Sequence, residues 1–252
     1  MSNTEIGPSV SAYRPDSSGG PEGAVRRASA IAGVALLVMA VLGIFANFIG
    51  PGGIATEGDP ARIVTDISNA EGTFRAGIVS FVVVAVLDVV VAWALYTVFE
   101  PVSRSLSLLA AWFRVVYAGV LVVAVSHLIG VLAILETPEL AGSSQAQLHA
   151  QALLELNTFN EIWSAGFVSF GVHLLVLGYL AYRAGYVPTY LGVLLAIAGL
   201  GYLVDSIGPL VYSGYSIELA LFTFVGEIVL IVWLLIRERH VELNEAVATT
   251  AD

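Results

Sequence analysis

Four ionisable side chains, Asp88, Arg114, His173 and Glu227, stand inside long apolar runs of this chain. A guanidinium in such a place cannot shed its proton and must find partners. Asp88 and Glu227 are the natural counter-ions, yet one arginine cannot neutralise both. Either His173 takes up a proton or one carboxyl keeps its own through burial. A proton left over in an apolar interior is what an ion-coupled carrier needs, whereas a fully paired set would only lock helices together. His127, Asp205 and Glu161 offer a second, outer polar layer. By ligand type, His173, Glu227 and Asp88 would suit zinc or iron. There is no HExxH motif, no i,i+4 histidine pair, no DxxxD and no cysteine. No metal or other cofactor is therefore expected, and His127 and His173 lie at different depths, which disfavours a bis-histidine haem. Phosphate loops, nucleophile elbows and acyl-transfer triads are absent as well.

The segments that carry these residues set the fold class. Of 252 residues, 58% are hydrophobic and 12% charged, against roughly a quarter charged in a soluble domain. Six runs approach or exceed the roughly 20 apolar residues that cross a hydrocarbon core at 1.5 Å rise: residues 28–49, 75–99, 106–135, 160–182, 190–207 and 217–236. The chain thus reads as all-α, a polytopic transmembrane bundle of six spans. Residues 1–25, rich in Ser, Gly and Pro, read as a disordered cytoplasmic tail; residues 26–236 form the membrane domain, and 237–252 a short polar cytoplasmic tail. The first apolar run is too long for a cleaved signal.

Short amphipathic helices are expected in the two larger outer loops. Within residues 54–73, Asp59 can cap a helix, Pro60 suits its first position, and Ile63, Val64 and Ile67 share a face. Leu148, Ala152, Leu156, Phe159 and Trp163 fall at helical spacing and lead into the fourth span. The link 183–189 is tight, with Gly185 as a C-cap and Pro188 as a stop, and Gly208, Pro209 and Gly214 read as a turn. Gly192, Gly199 and Gly201 suit close helix packing. Trp163, Tyr202, Tyr212 and Tyr215 read as interface aromatics.

Arginine placement chooses the sides. Arg14, Arg26, Arg27, Arg104, Arg183, Arg237 and Arg239 fall on the termini and even-numbered loops, and only Arg62 and Arg75 on the odd ones. The positive-inside rule then puts both termini in the cytoplasm of a multi-pass cell-membrane protein. Counted from that side, Asp88, Arg114, His173 and Glu227 lie about eight to eleven residues deep, within roughly 5 Å of one another along the membrane normal.

Ten arginines, no lysine and twenty carboxylates give a net charge of −10. That sign excludes a basic nucleic-acid surface, and an acidic, lysine-free surface suits a halophilic source. The expected partners are the lipid bilayer and a small solute or protons.

Several strings together resemble the uncharacterised membrane-protein family known as domain of unknown function 4386. They are Asp88-Val-Val-Val-Ala-Trp-Ala-Leu-Tyr96, Trp112-Phe-Arg-Val-Val-Tyr-Ala118 and Gly171-Val-His-Leu-Leu-Val-Leu-Gly-Tyr-Leu180. Gly185-Tyr-Val-Pro188 follows, then Leu191-Gly-Val-Leu-Leu-Ala-Ile-Ala-Gly-Leu-Gly-Tyr-Leu-Val-Asp205, and last Glu227 ahead of Trp233-Leu-Leu235. The resemblance implies a multi-span membrane protein and brings no established activity, substrate or cofactor. It points to Asp88, Arg114, His173, Asp205 and Glu227, and the Ser/Gly-rich tail and acidic loops depart from it.

Three functions fit these readings. A small-solute or proton-coupled carrier follows from the unequal carboxylates and the Gly/Pro-interrupted fifth span. A structural or regulatory membrane subunit follows if every buried charge is helix-locking. A membrane-embedded metal- or haem-dependent enzyme comes last, for want of histidines and cysteines.

Overall fold

The computed structural model describes residues 21–51, 59–136, 144–217, 219 and 224–236. The expected tails, residues 1–20 and 237–252, lie outside them. Among the described residues there are helices and no strand. Helix α1 (Pro21–Ile44) runs into a π-helical turn (Phe45–Ile49); α2 is Pro60–Asn69, α3 Glu71–Phe99, α4 Arg104–Glu136, α5 Gln145–Arg183, α6 Thr189–Val211 and α7 Val225–Ile236. The helices α1 and α3 to α6 are long and apolar enough to cross a membrane, as a multi-pass protein requires.

The boundaries differ from the sequence expectation in three places. Helix α1 starts at Pro21, inside the stretch expected as tail, because proline at a first helical position costs nothing and presets φ. Helix α6 continues through Gly208 and Pro209 instead of turning there. Only two helical residues follow Pro209, and the amide of Tyr212 closes the end on the carbonyl of Gly208 at 2.9 Å. Of the sixth expected span, residues 217 and 219 are not helical and α7 begins at Val225. Its twelve described residues rise only about 18 Å against a core of roughly 30 Å, so among the described residues five helices are long enough to span and one apolar helix is shorter.

The helices follow one another around a ring. Helix α1 packs on α3, α3 on α4, α4 on α5 and α5 on α6. Helix α7 closes it: a Cβ added to Gly33 of α1 would stand 2.9 Å from Leu235, and one on Gly226 would stand 2.7 Å from the carbonyl of Leu194 in α6. Helices in lipid gain no hydrophobic free energy by meeting, so contact rests on close backbone approach. The α5–α6 hairpin shows it best. Gly171 and Gly178 face Gly199 and Gly192, and a Cβ on either residue of each pair would sit 2.7–2.8 Å from the other's carbonyl oxygen.

Outside the ring, α2 forms as its sequence dictates. Asp59 accepts a hydrogen bond from the amide of Ala61 at 3.1 Å, Pro60 leads the helix, and Ile63, Val64 and Ile67 are buried. They pack with Leu148, Ala152, Leu156 and Phe159, the amphipathic start of α5. That helix is capped by a Ser144–Gln147 box and has 39 residues, about 58 Å, so it runs well beyond a bilayer core. Two apolar cores result: one holds α2, the first half of α3, the second half of α4 and the start of α5; the other holds α1, the last turns of α3 and α5, α6 and α7.

Candidate functional site

Between these two cores lies a polar layer. Asp88 on α3 is fully buried and Arg114 on α4 is 3% exposed, with Nη2 of the arginine 2.7 Å from Oδ1 of the aspartate. The contact is short but poorly aligned for hydrogen bonding. Among the described residues both carboxylate oxygens of Asp88 and Nε of Arg114 have no hydrogen-bond partner. The ion pair is thus held by charge, and its remaining polar atoms can serve a small polar guest. Burying such a pair costs several kcal/mol per ion unless every valence is met, so its geometry is expensive to maintain.

His173 of α5 completes the triad and is fully buried. Its Nδ1 lies 2.8 Å from the carbonyl of Ala110 and its Nε2 lies 3.3 Å from Nη1 of Arg114. The carbonyl only accepts and the guanidinium only donates, so the ring is the neutral tautomer with its proton on Nδ1. His173 therefore adds no positive charge, and the second carboxyl is left without a counter-ion of its own. That carboxyl is Glu227 on α7. It is half-buried, accepts a hydrogen bond from the hydroxyl of Tyr202 at 2.9 Å, and feels the fields of Arg114 and Asp88.

Aromatic rings wall the layer. Phe170 lies under the Arg114 guanidinium at 5.4 Å and stacks on His173 at 5.9 Å. Tyr117 packs on Phe170 at 4.9 Å and accepts a hydrogen bond from the indole of Trp163 at 3.0 Å. Phe167 and Tyr202 are 5.0 Å apart. Guanidinium over an aromatic face is stabilising, about 2 kcal/mol where water is excluded. Trp163 and Tyr202 are thus interior residues, correcting their expected place at the interface. A tyrosine or tryptophan can bury its ring wherever the polar tip finds a partner, and Tyr117 and Glu227 supply those partners. Tyr212 is exposed, as an interface aromatic would be.

The expected outer layer does not assemble. His127 on α4 pairs through Nδ1 with Glu155 of α5 at 2.6 Å, both about three-tenths exposed. Asp205 accepts from the Tyr215 hydroxyl at 2.5 Å and from the amide of Leu219 at 3.0 Å; that hydrogen bond pushes the Tyr215 hydroxyl up to about 12. Glu161 is exposed. Among the described residues no three of His, Asp and Glu converge as a metal ion would require, and each histidine that could hold haem is engaged elsewhere, His127 by Glu155 and His173 by Ala110 and Arg114. The residues that sequence reasoning missed are Tyr117, Phe170 and Glu155. Only the last carried a signal, as a carboxylate within the apolar spacing that runs from Leu148 to Trp163.

Residues 31–237 match the family described as Domain of unknown function (DUF4386). The chain belongs to that family. An "Uncharacterized protein" of Archaeoglobus fulgidus is 36% identical over 172 residues, which is 68% of this chain and 88% of the relative. No solved structure matches. Asp88, Arg114, Tyr117, His173, Tyr202 and Glu227 all fall within the DUF4386 region.

Proposed function

We propose that this DUF4386 protein is a membrane carrier that moves a small solute together with a proton. One observation carries the reading: Arg114 is paired with Asp88, His173 is held neutral by its two partners, and Glu227 is held by the hydroxyl of Tyr202 with no ion pair among the described residues. The layer thus contains one carboxyl more than it can pair, and it sits midway along spanning helices where a carrier's site belongs. The unpartnered atoms of Asp88 and Arg114 would meet the solute, and Glu227 with Tyr202 would exchange the proton. The protein would lie in the cell membrane with six spans and with both termini cytoplasmic. Residues 26–236 would be one membrane domain between two tails.

The test uses protein reconstituted in liposomes with a trapped pH dye and offered a panel of small amines, carboxylates and neutral polar solutes. At least one solute should drive proton movement in the wild type, and Glu227→Gln should abolish it while leaving the folded protein intact by gel filtration. Proton movement unchanged in Glu227→Gln refutes the assignment. The second reading is a structural or regulatory subunit. It is favoured by Arg114 bridging α3, α4 and α5 through Asp88, Phe170 and His173. If no solute moves protons and Asp88 and Arg114 matter only for stability, that reading replaces the first.

A further inference from the structure

The turn joining α3 to α4 and the turn joining α5 to α6 lie side by side and enclose an open cleft of about 520 Å³. Val102, Leu106, Leu180 and Ala184 line it with apolar surface, and Ser103 and Arg183 are among its polar residues. The hydroxyl of Tyr186 donates to the carbonyl of Val98 at 2.6 Å and pins one turn to the other, so the cleft is a fixed feature of this end of the bundle.

Arg183 is the residue that needs explaining. Arg62, Arg75, Arg104 and Arg114 each have a carboxylate within 4.0 Å. Arg183 has none among the described residues; its guanidinium rests over the Tyr179 ring at 6.0 Å. A guanidinium so placed is oriented yet un-neutralised, at the lip of a preformed cleft. Its fork geometry matches a phosphate bidentately. The first turn of α4 begins at Arg104, beside Ser103, and the helix dipole favours the same charge there.

The level of the cleft selects the kind of anion. Tyr179, Tyr182 and Tyr190 are exposed around the α5–α6 turn, as aromatic residues are where headgroups meet hydrocarbon. Arg183 ends a spanning helix and Thr189 begins the next. A phosphate reaching Arg183 at that level is tethered to acyl chains. We propose that the cleft binds the headgroup of an anionic phospholipid, its phosphate on Arg183 and its chains on the lipid-facing helix surface. This is independent of the carrier reading.

The experiment places wild type and variants in nanodiscs of equal parts phosphatidylglycerol and phosphatidylcholine, extracts them in mild detergent, and counts co-purifying lipid by native mass spectrometry. Phosphatidylglycerol should be retained over phosphatidylcholine in the wild type. Arg183→Gln should lower that preference about fivefold, the value of one arginine near a charged membrane surface. Arg183→Lys should keep part of it, and Arg62→Gln, at an exposed ion pair on α2, should keep all of it. Glu227→Gln should leave lipid retention unchanged, which separates this proposal from the carrier. Equal retention of the two lipids, or no change in Arg183→Gln, overturns the proposal. So does thermal stabilisation by inorganic phosphate alone without lipid preference, which would make the cleft a soluble-anion site.

Discussion

Replacing Arg114 by glutamine removes the one positive charge of the polar layer and leaves Asp88 facing a shorter, neutral amide. Exposed ion pairs contribute about 0–1 kcal/mol, but stripping one partner from a buried pair costs about 3–5 kcal/mol. Exposures of 3% and 0% put Arg114 and Asp88 in the second class. The structure places the cost towards the lower end. Neither Asp88 oxygen is a well-aligned acceptor in the wild type, so fewer hydrogen bonds are lost than in a fully satisfied pair. Loss of the guanidinium from the Phe170 face works the other way. We expect about 3 kcal/mol for Arg114→Gln and a similar value for Asp88→Asn. The double variant should cost less than either single one, because it leaves neither charge buried without its partner. That is a coupling of about 3 kcal/mol or more.

Reversible unfolding in mixed micelles with a rising fraction of sodium dodecyl sulfate gives these free energies. Tryptophan fluorescence is a direct reporter, since Trp163 bonds to Tyr117 at the edge of the site. A loss below about 1 kcal/mol in Arg114→Gln would refute the argument, because it would mean that the pair behaves as an exposed one. Strict additivity of the two single variants would refute it equally, because uncoupled residues cannot be a pair.

Gly178→Leu should abolish folded protein in detergent, since even its Cβ would meet the carbonyl of Gly192 at 2.7 Å; Gly119→Ala, with nothing within 4 Å, should behave as wild type. Size-exclusion profiles distinguish these outcomes. Asp59→Ala should cost about 1 kcal/mol by removing the cap of α2, and hydrogen exchange should show faster amides in that helix with the spans unchanged. A protease site appended after Asp252 should resist protease added outside intact cells and be cut in inverted vesicles; cleavage from outside sinks the proposed topology.

How much of this was legible depends on which physical signal each residue carries. Length and hydropathy mark the spans, and counting at 1.5 Å per residue places Asp88, Arg114 and His173 at one depth, the level at which the structure joins them. Rotation about each helix axis is another matter. Helices α3 to α6 are apolar all round, since lipid and protein interior accept the same side chains, so the period that reveals a buried face in a soluble helix is missing. For that reason Trp163 and Tyr202 could not be told from interface residues, and Tyr117 and Phe170 gave no sign of facing Arg114. Glu155 lies on the amphipathic segment that leads into the fourth span, and α5 is continuous from Gln145 as that spacing implies; which residue it faces depends on the same unseen rotation. Gly192 and Gly199 were legible because a small residue in an apolar helix has few other uses. Their partners Gly171 and Gly178 needed the antiparallel hairpin to be seen. Pro209 misled because the penalty for proline is high inside a helix and low within its last turn, and sequence does not say where the last turn falls.

The polar layer is anchored unequally, and the inequality bears on how it would work. Asp88, Arg114 and His173 tie α3, α4 and α5 through an ion pair and two short contacts, and α6 is pressed onto α5 at glycine-to-glycine distance. Glu227 belongs to α7, whose twelve residues are fewer than those of any spanning helix, and a single hydrogen bond from Tyr202 holds its side chain. Charge on Glu227 is opposed by Asp88 and favoured by Arg114, and a proton on Glu227 removes both interactions. A protonation cycle there would alter the electrostatic hold on α7 while the Asp88–Arg114–His173 set stays fixed. A carrier needs one part of its site to move against another that does not. In the proposed function the proton on Glu227 would set the electrostatic hold on α7, which Gly226 seats against the backbone of Leu194 on α6.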